Sequence, residues 1–141
     1  SSCVGFTFEE NGNRFSIATD LGHIDDNIID NLKGSKLVIL ESNHDEKMLS
    51  QNPKYPYLLK QRILGKSGHL SNKLCAEAIL KLVGSGVRQV LLAHLSEENN
   101  TPELAYSTIC EYLGRFGIIE GTHIKIDVAP PNGFSNIFYL K

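Results

Sequence analysis

Alternating apolar and polar positions at the start of the chain predict a β-hairpin. Apolar side chains occupy every second position of two successive runs, at Val4, Phe6, Phe8, Phe15 and Ile17. A period of two is typical of a β-strand with one buried face. The two runs are separated by Asn11-Gly12, a dipeptide that favours the positive φ angles of a tight hairpin turn.

After the hairpin, helical and strand-like segments alternate along the chain. Helical spacing of apolar residues is found in "HIDDNIIDNLKG", "DEKMLSQN", "YPYLLKQRIL", "SNKLCAEAILKLVGSG" and "PELAYSTICEYLGRFG". Short apolar runs in "KLVILES", "VRQVLLAH" and "HIKIDVAP" indicate buried strands. A last segment, "FSNIFYLK", follows the "PPNG" turn and is expected to pair with the preceding strand. The alternation predicts a single α/β unit without a linker.

The segment "SNKLCAEAILKLVGSG" gives the clearest of the helix predictions. Ser71 or Asn72 is expected to cap its N-terminus, because a short polar side chain there accepts a hydrogen bond from a free backbone N–H. Gly84 or Gly86 is expected to end it. The predicted inner face consists of Leu74, Ala78, Ile79 and Leu82.

Composition and charge place the chain among globular proteins. Its 141 residues are 41% hydrophobic and 21% charged, which is enough apolar material for one domain with a core. The net charge of -2 gives no overall electrostatic case for nucleic-acid binding. A local site where metal ions hold phosphate groups is compatible with that charge.

The cysteines and the hydropathy pattern indicate the cellular compartment of the protein. Cys3, Cys75 and Cys110 are widely spaced and include no CxxC pair, which favours a reducing cytoplasm over a disulfide framework. Cys75 and Cys110 lie in predicted helices and are expected to be small core residues. No apolar run approaches the roughly 18 residues of a membrane span, and no signal peptide is visible. We therefore expect a cytoplasmic protein with no membrane partner.

Three predicted strands end in residues that can carry chemistry. "FSIATDLGH" ends on Asp20, "LVILESNHD" on Glu41 to Asp45, and "VLLAHLSEENN" on His94, just before a crowded polar loop. If these strands are parallel, their ends meet at one edge of the sheet, and Asp20 and His94 come within reach of one metal ion. Carboxylate and imidazole together suit zinc, manganese or iron. The alternative is that His94 merely ends a strand at the surface and that Asp20 is a turn residue, and periodicity alone favours the latter for Asp20.

Two further histidines lie in polar loops. His69, in "GKSGHLSNKL", precedes a helix N-terminus, where backbone N–H groups favour an anion. An imidazole there can donate a hydrogen bond to a phosphate or protonate a leaving oxygen. The alternative is a histidine that only caps the helix. His44, in "SNHD", is a third candidate, although residues after a strand often only build the turn.

Four segments together resemble a known family. "IATDLGH", "VILESNHDEKML", "YPYLLKQRILGKSGHLSN" and "VLLAHLSEENNTPELA", in this order and spacing, resemble the metallo-β-lactamase-fold hydrolases. The likeness is greatest to the YycJ/WalJ-type branch, which is related to ribonuclease Z and the β-CASP nucleases. The resemblance implies half of an αβ/βα sandwich, in which a mixed β-sheet begins with a hairpin and carries its helices on one face.

The resemblance also implies roles for individual residues. Asp20 matches the aspartate that bridges two metal ions, and His94 matches the last histidine ligand. His69 matches a histidine that is not a ligand and that contacts the scissile phosphate, which makes it the expected catalytic residue. Glu41 lies at the strand end that corresponds to the acidic motif between them. The implied cofactors are two divalent metal ions, zinc or manganese, and the implied substrate is a nucleic acid or another phosphodiester.

The sequence departs from the family in its metal ligands. The principal motif, HxHxDH, is not found in residues 1–141. The resemblance therefore implies that residues 1–141 form the C-terminal half of a metallo-β-lactamase-fold domain. The N-terminal half that carries this motif is absent, and the chain is expected to be inactive alone. Loss of one half is expected to expose apolar residues of the sheet, including some of Phe6, Phe8, Ile17, Val38 and Leu92. The expected partner across that face is the missing half or a second copy of the chain.

Two hypotheses about function follow from the sequence. The first is the C-terminal portion of a metal-dependent hydrolase, a nuclease or other phosphodiesterase with a dinuclear metal site. The second is a complete α/β binding or interaction domain that kept the scaffold and lost both metals and catalysis. The absence of HxHxDH supports the second, and the four matching segments support the first.

Overall fold

The computed structural model describes residues 4–65 and 68–130 and begins with the predicted hairpin. Strands β1 (Val4–Glu10) and β2 (Asn13–Thr19) pair antiparallel, with Phe6 opposite Ile17. The turn between them uses φ angles of 54° at Asn11 and 80° at Gly12. Asparagine and glycine tolerate this left-handed region better than other residues, which is why the sequence fixes the turn.

The remaining elements occur in the predicted order. They are α1 (Asp26–Leu32), β3 (Leu37–Glu41), α2 (Glu46–Gln51), α3 (Tyr57–Leu64), α4 (Asn72–Gly84), β4 (Gln89–Ala93), α5 (Pro102–Gly114) and β5 (Lys125–Val128). The last predicted strand, "FSNIFYLK", lies outside the described residues. In the part of the chain that the structure describes, no helix is both long and apolar enough to cross a membrane.

The five strands form one mixed sheet in the order β1-β2-β3-β4-β5. Strands β2 to β5 are parallel to one another, and β1 alone is antiparallel. Crossover connections between parallel strands are almost always right-handed. Because the strand order never reverses after β2, connections of one hand place their helices on the same face of the sheet. This confirms the predicted α/β class and the mixed sheet that begins with a hairpin.

The main core lies between the parallel strands and helices α1, α4 and α5. Val38 and Leu40 of β3 and Leu92 of β4 point into it and are fully buried. Of the five residues among which exposure was expected, Val38 and Leu92 are therefore buried on the covered face. The period of two identifies which residues share a face, whereas the direction of the helical crossovers decides which face is covered.

The opposite face of the sheet carries the large apolar residues of the hairpin. Phe6 and Phe8 of β1 are each 55% exposed, and Ile17 of β2 is half-buried. A small separate cluster continues this face across β3 and β4 and contains Leu37, Leu91, Ala93 and Ala129, with Phe15 and Ile39 against it. The exposure expected for Phe6 and Phe8 is confirmed.

Helix α4 differs in one detail from its prediction. Its N-cap is Ser71, whose side chain accepts a hydrogen bond from the backbone N–H of Leu74. Leu74 itself is 36% exposed, so its assignment to the inner face is wrong. Cys75 and Ala76 are fully buried in its place, which rotates the inner face of the first turn by one position. Cys75 is the core residue predicted, whereas Cys110 on α5 is only half-buried.

Candidate metal centre

The ends of three parallel strands meet at one edge of the sheet. Asp20 follows the last residue of β2, Glu41 is the last residue of β3, and His94 follows the last residue of β4. The pairing of Glu41 with Ala93 in the ladder brings the ends of β3 and β4 level. The sheet topology thus brings together side chains that are up to 74 residues apart in sequence.

Asp20 and His94 share an unusual backbone conformation. Their φ angles are 57° and 60°, and Asn11 in the hairpin turn is the only other residue outside glycine with a positive φ in the described ranges. Left-handed residues turn the chain sharply at a strand end, and aspartate and histidine adopt this region more readily than most residues. Such conformations are concentrated at functional sites, where the surrounding structure holds them in place. Asp20 is therefore a turn residue and a member of the cluster at once.

His69 reaches the same edge from the loop between α3 and α4. Its backbone N–H donates to the carbonyl of Ile63, 2.9 Å away, which ties the loop to the last turn of α3. The preceding Gly68 allows this approach, because an added Cβ would lie 2.1 Å from the Ile63 carbonyl oxygen. The cap of α4 is Ser71, so the alternative that His69 only caps the helix is wrong.

The four side chains form one compact cluster. Ligand atoms of Asp20, Glu41, His69 and His94 all lie within 4.8 Å of one another. The Nδ1 atom of His94 lies 3.6 Å from Oδ1 of Asp20, and the rings of His69 and His94 meet edge to face with centroids 5.4 Å apart. Glu41 is fully buried, while Asp20 and His94 are about half-exposed.

Glu41 organises the cluster through four hydrogen bonds. Its Oε1 accepts from the Nδ1 atom of His94 at 2.6 Å and from the backbone N–H of Asp20 at 2.8 Å. Its Oε2 accepts from the Nδ1 atom of His69 at 3.1 Å and from the backbone N–H of Leu70 at 2.9 Å. All four neighbours donate, so both oxygens of Glu41 are occupied and the carboxylate orients the other members of the cluster.

The hydrogen bonds of Glu41 fix the ionisation of this carboxylate. Burial by itself raises the pKa of Glu41, but the hydrogen bonds from His69, His94, Leu70 and Asp20 outweigh it and lower the pKa to about 2. An ionised carboxylate can only accept hydrogen bonds, so the Nδ1 atoms of His69 and His94 must carry the protons. This leaves Nε2 of each ring as the atom available to a metal ion or a substrate.

The pKa values of the two histidines shift in the direction opposite to that of Glu41. For both His69 and His94, the hydrogen bond to Glu41 raises the pKa above the usual histidine value, and burial opposes it only in part. The Glu41 carboxylate therefore favours protonated imidazoles when no metal ion is bound. Metal ions compete with protons for Nε2, so a metal ion held by these imidazoles would bind more weakly in acid.

A buried polar network supports the loops that carry the cluster. The amides of Asn72 and Asn100 form a reciprocal pair, with two N–H···O bonds of 2.9 Å. Ser42 donates to Asn72 at 2.6 Å, and the Asn100 amide donates to the carbonyls of Ser42 and Asn43. The start of α4, the start of α5 and the end of β3 are thereby joined. Sequence analysis missed this network. The visible signal was an asparagine at three loop positions, Asn43 after "ES", Asn72 after "LS" and Asn100 after "EEN".

His44 lies next to the cluster without joining it. It is 1% exposed, and burial lowers its pKa. Its Nδ1 lies 3.2 Å from the side-chain oxygen of Asn43, and its Nε2 has no hydrogen-bond partner among the described residues. His44 is thus buried beside the cluster, and its backbone carbonyl accepts from the N–H of Asn72.

Comparison with known families decides the classification. Residues 1–95, about two thirds of the chain, match the beta-lactamase superfamily domain. The chain belongs to this family. The matched segment contains three of the parallel strands and all four members of the cluster, Asp20, Glu41, His69 and His94. The predicted resemblance is confirmed.

Curated relatives within the superfamily carry the name exodeoxyribonuclease. The chain is 34% identical over 126 residues to exodeoxyribonuclease WalJ of Streptococcus pneumoniae, which covers 89% of this chain and 46% of that protein. It is 32% identical over 135 residues to exodeoxyribonuclease YycJ of Bacillus anthracis, which covers 96% of this chain and 51% of that protein. The chain thus spans about half the length of the curated relatives it matches. These relatives do not favour the alternative of a binding domain that lost its chemistry.

A solved structure shares the fold at low sequence identity. The crystal structure of Zn²⁺-bound PqqB from Methylobacterium extorquens superimposes with a TM-score of 0.54 over 89% of this chain and 40% of that protein. The two sequences are 13% identical, so the likeness shows the fold alone. The roles of Asp20, His94 and His69 stay predictions, which the following proposals develop.

Proposed function

We propose that this chain contributes Asp20 and His94 as ligands to the metal centre of a hydrolase that cleaves phosphodiester bonds in nucleic acid. The observation that carries the proposal is the cluster, in which Glu41 holds Nδ1 of two imidazoles, leaves Nε2 of each available, and lies with Asp20, His69 and His94 so that ligand atoms of all four are within 4.8 Å of one another. The names of the relatives, both exodeoxyribonucleases, support nucleic acid as the substrate.

The donor set of the cluster fits a divalent ion. Carboxylate oxygen and imidazole nitrogen are the ligands that zinc and manganese accept, and each histidine has its second nitrogen held by a carboxylate, as metal-binding histidines usually do. Divalent ions in such sites acidify water and neutralise the negative charge that develops on phosphate. Asp20 is proposed to bridge two ions, because a carboxylate has two oxygens, and His94 to bind one of them through Nε2.

His69 is proposed to act on the substrate. Its Nδ1 donates to Glu41, so proton transfer and hydrogen bonding to a phosphate must use Nε2. The raised pKa of His69, caused first by the hydrogen bond to Glu41, favours the imidazolium form. An imidazolium can donate a hydrogen bond to a non-bridging phosphate oxygen or protonate the leaving oxygen. Both actions lower the barrier to cleavage of the phosphodiester bond.

We propose that further ligands come from polypeptide equivalent to the remaining half of the relatives. Zinc takes about four ligands, and this cluster offers the side chains of Asp20 and His94 beyond the phosphate-contacting His69. In this proposal residues 1–141 are the C-terminal half of a metallo-β-lactamase-fold domain in a cytoplasmic enzyme. Cleavage of bis-p-nitrophenyl phosphate by the 141-residue chain alone, abolished by Asp20→Ala, would contradict the need for further ligands.

Metal titration separates the proposed roles. In a full-length enzyme, isothermal titration with Mn²⁺ or Zn²⁺ is expected to show affinity at least about tenfold weaker for Asp20→Ala and His94→Ala than for wild type, because each variant lacks a ligand. His69→Ala is expected to retain wild-type metal affinity. Asp26→Ala serves as the control, since the Asp26 side chain is 94% exposed and is not a member of the cluster. Loss of metal binding in His69→Ala, or its retention in the other two variants, would overturn the assignment.

A further inference from the structure

A cavity of about 490 Å³ opens beside the cluster. Its inner wall includes His69 and His94, so a molecule bound there touches the proposed reaction site. Its outer wall comes from α3 and the segment just before it, through Tyr55, Leu59 and Arg62. Together with Ile63 they form a series in which successive members are four, three and one positions apart. This spacing is expected for residues on one face of a helix. Helix α3 therefore presents one face to the cavity.

The electrostatics of the cavity favour an anion. Arg62 is exposed, and its guanidinium has no hydrogen-bond or ion-pair partner among the described residues. No carboxylate belongs to the described residues that line the cavity, and its other polar groups are the amides of Asn43 and Asn99, the hydroxyls of Tyr55 and Ser96 and the two imidazoles. A guanidinium without a carboxylate partner is suited to bind phosphate through two parallel hydrogen bonds.

The size and remaining walls of the cavity favour a single nucleotide. Pockets for small molecules range from about 300 to 1,000 Å³, so 490 Å³ accommodates one nucleotide unit. Tyr55 supplies an aromatic ring, and Leu59, Ile63 and Leu95 supply apolar surface. Bases that are released from a stack bind to such surfaces without sequence preference.

We infer that this cavity binds one unstacked nucleotide of a single strand, with Arg62 on a phosphate and Tyr55 against the base. The inference rests on the proposed function for its place in the reaction, because it positions the neighbouring phosphodiester at His69 and His94. The substrate class is thereby narrowed to single-stranded nucleic acid or strand ends that can fray. Arg62 and Tyr55 become substrate-binding residues.

Binding of a fluorescent oligothymidylate, measured by anisotropy in EDTA, tests the role of Arg62. Arg62→Ala is expected to weaken binding about tenfold or more, because hydrogen bonds to charged groups are lost. It should also reduce the slope of log affinity against log salt by about 0.7, which corresponds to one phosphate contact fewer on a single strand. Arg62→Lys should restore the salt slope. Arg115→Ala, which removes an exposed arginine at the end of α5, should match wild type in both measurements.

A second variant tests the base contact. Tyr55→Ala is expected to weaken binding of the oligothymidylate about five- to a hundredfold, in the range of base stacking on an aromatic side chain. An abasic strand of equal length should bind the variant and wild type alike, because it offers phosphates without bases. Circular dichroism checks that both variants remain folded.

The outcomes distinguish this inference from the proposed function. If the chain binds metal as proposed but shows no oligonucleotide binding, or binds equally well with Arg62→Ala, the inference is wrong and the metal centre stands. If oligonucleotide binding depends on Arg62 and Tyr55 while Asp20→Ala leaves metal affinity unchanged, the cavity assignment stands without the proposed metal centre.

Discussion

At the scale of single residues, Glu41 is the residue on which the site depends. It is fully buried, and its two oxygens accept four hydrogen bonds, from the side chains of His69 and His94 and from the backbone of Asp20 and Leu70. A buried carboxylate is costly unless it is fully hydrogen-bonded, and this one is. Removing the charge therefore affects stability and the orientation of both imidazoles together.

Glu41→Gln is expected to lower the free energy of unfolding by about 1–3 kcal/mol. The glutamine amide group is a donor, so it faces an N–H donor and leaves at least one buried hydrogen bond unmade. Urea unfolding followed by circular dichroism measures the change. Glu97→Gln, at an exposed loop position, is the matched control and is expected to stay within about 0.5 kcal/mol of wild type. Equal stabilities for Glu41→Gln and wild type would show that the four hydrogen bonds contribute nothing net.

The difference in stability between wild type and Glu41→Gln is also predicted to depend on pH. The folded-state pKa values of His69 and His94 are raised, mainly by the hydrogen bonds to Glu41. The stability that these two histidines contribute is therefore complete below the unfolded histidine pKa of about 6.5, and it is lost as pH rises through the folded-state pKa values. The pKa of Glu41 is lowered to about 2, so its contribution is present above the unfolded glutamate pKa of about 4.3. Without metal, the stability difference should therefore be larger near pH 6 than near pH 9. A difference that grew with pH would contradict this account.

At the scale of elements, α3 and α4 are held in different ways. Helix α4 has a side-chain cap at Ser71 and six buried residues. Helix α3 has eight residues, no side-chain cap at Pro56 and no buried residue, although Tyr57 and Leu58 are large and apolar. Isolated helices of this length are marginal in water. Local contacts and the hydrogen bond between the Ile63 carbonyl and His69 hold α3 in place.

Amide hydrogen exchange is expected to distinguish α3 from α4. Amides of α3 should exchange on the order of a hundredfold faster than those of α4, because α3 can open without exposing buried apolar surface. Helix α5, with a Thr101 cap and three buried residues, should resemble α4 and serves as the internal reference. Protection of α3 equal to that of α4 would show that α3 is packed more firmly than its exposure indicates.

At the scale of the whole molecule, the two faces of the sheet are unequal. Helices α1, α4 and α5 cover one face, where the strand residues are almost completely buried. The other face presents Phe6 and Phe8, each 55% exposed. Large apolar side chains that are exposed together are typical of a surface that another polypeptide covers. The proposed half-domain would cover it in the intact enzyme.

The 141-residue chain by itself is therefore expected to self-associate through this face. Light scattering after size exclusion should give a mass above that of one chain, and Phe6→Thr/Phe8→Thr should shift it toward the monomer, because threonine keeps the strand propensity and removes the apolar surface. Phe116→Thr is the matched control, since Phe116 is 56% exposed beyond α5. A monomeric wild-type chain would contradict the proposal that this face needs a partner.

The sequence by itself determined the order and type of the elements. The period of apolar residues, the Asn11-Gly12 turn and the polar cap of α4, expected at Ser71 or Asn72, act over a few neighbouring positions, so they can be identified without tertiary contacts. The ends of the strands at Asp20 and His94 could be predicted for the same reason. Their proximity followed only on the condition that the strands are parallel.

Which groups meet, and which face of the sheet is covered, depends on tertiary contacts. Glu41 contacts His69 and His94 across 28 and 53 residues, distances that no local pattern encodes. Alternation alone could not tell that Val38 points toward the helices and Phe6 away from them, because a period of two is the same for either face. The direction of the crossovers selected the face. The alignment of strand ends turned scattered polar residues into one site, because it placed their side chains within hydrogen-bonding distance around a buried carboxylate.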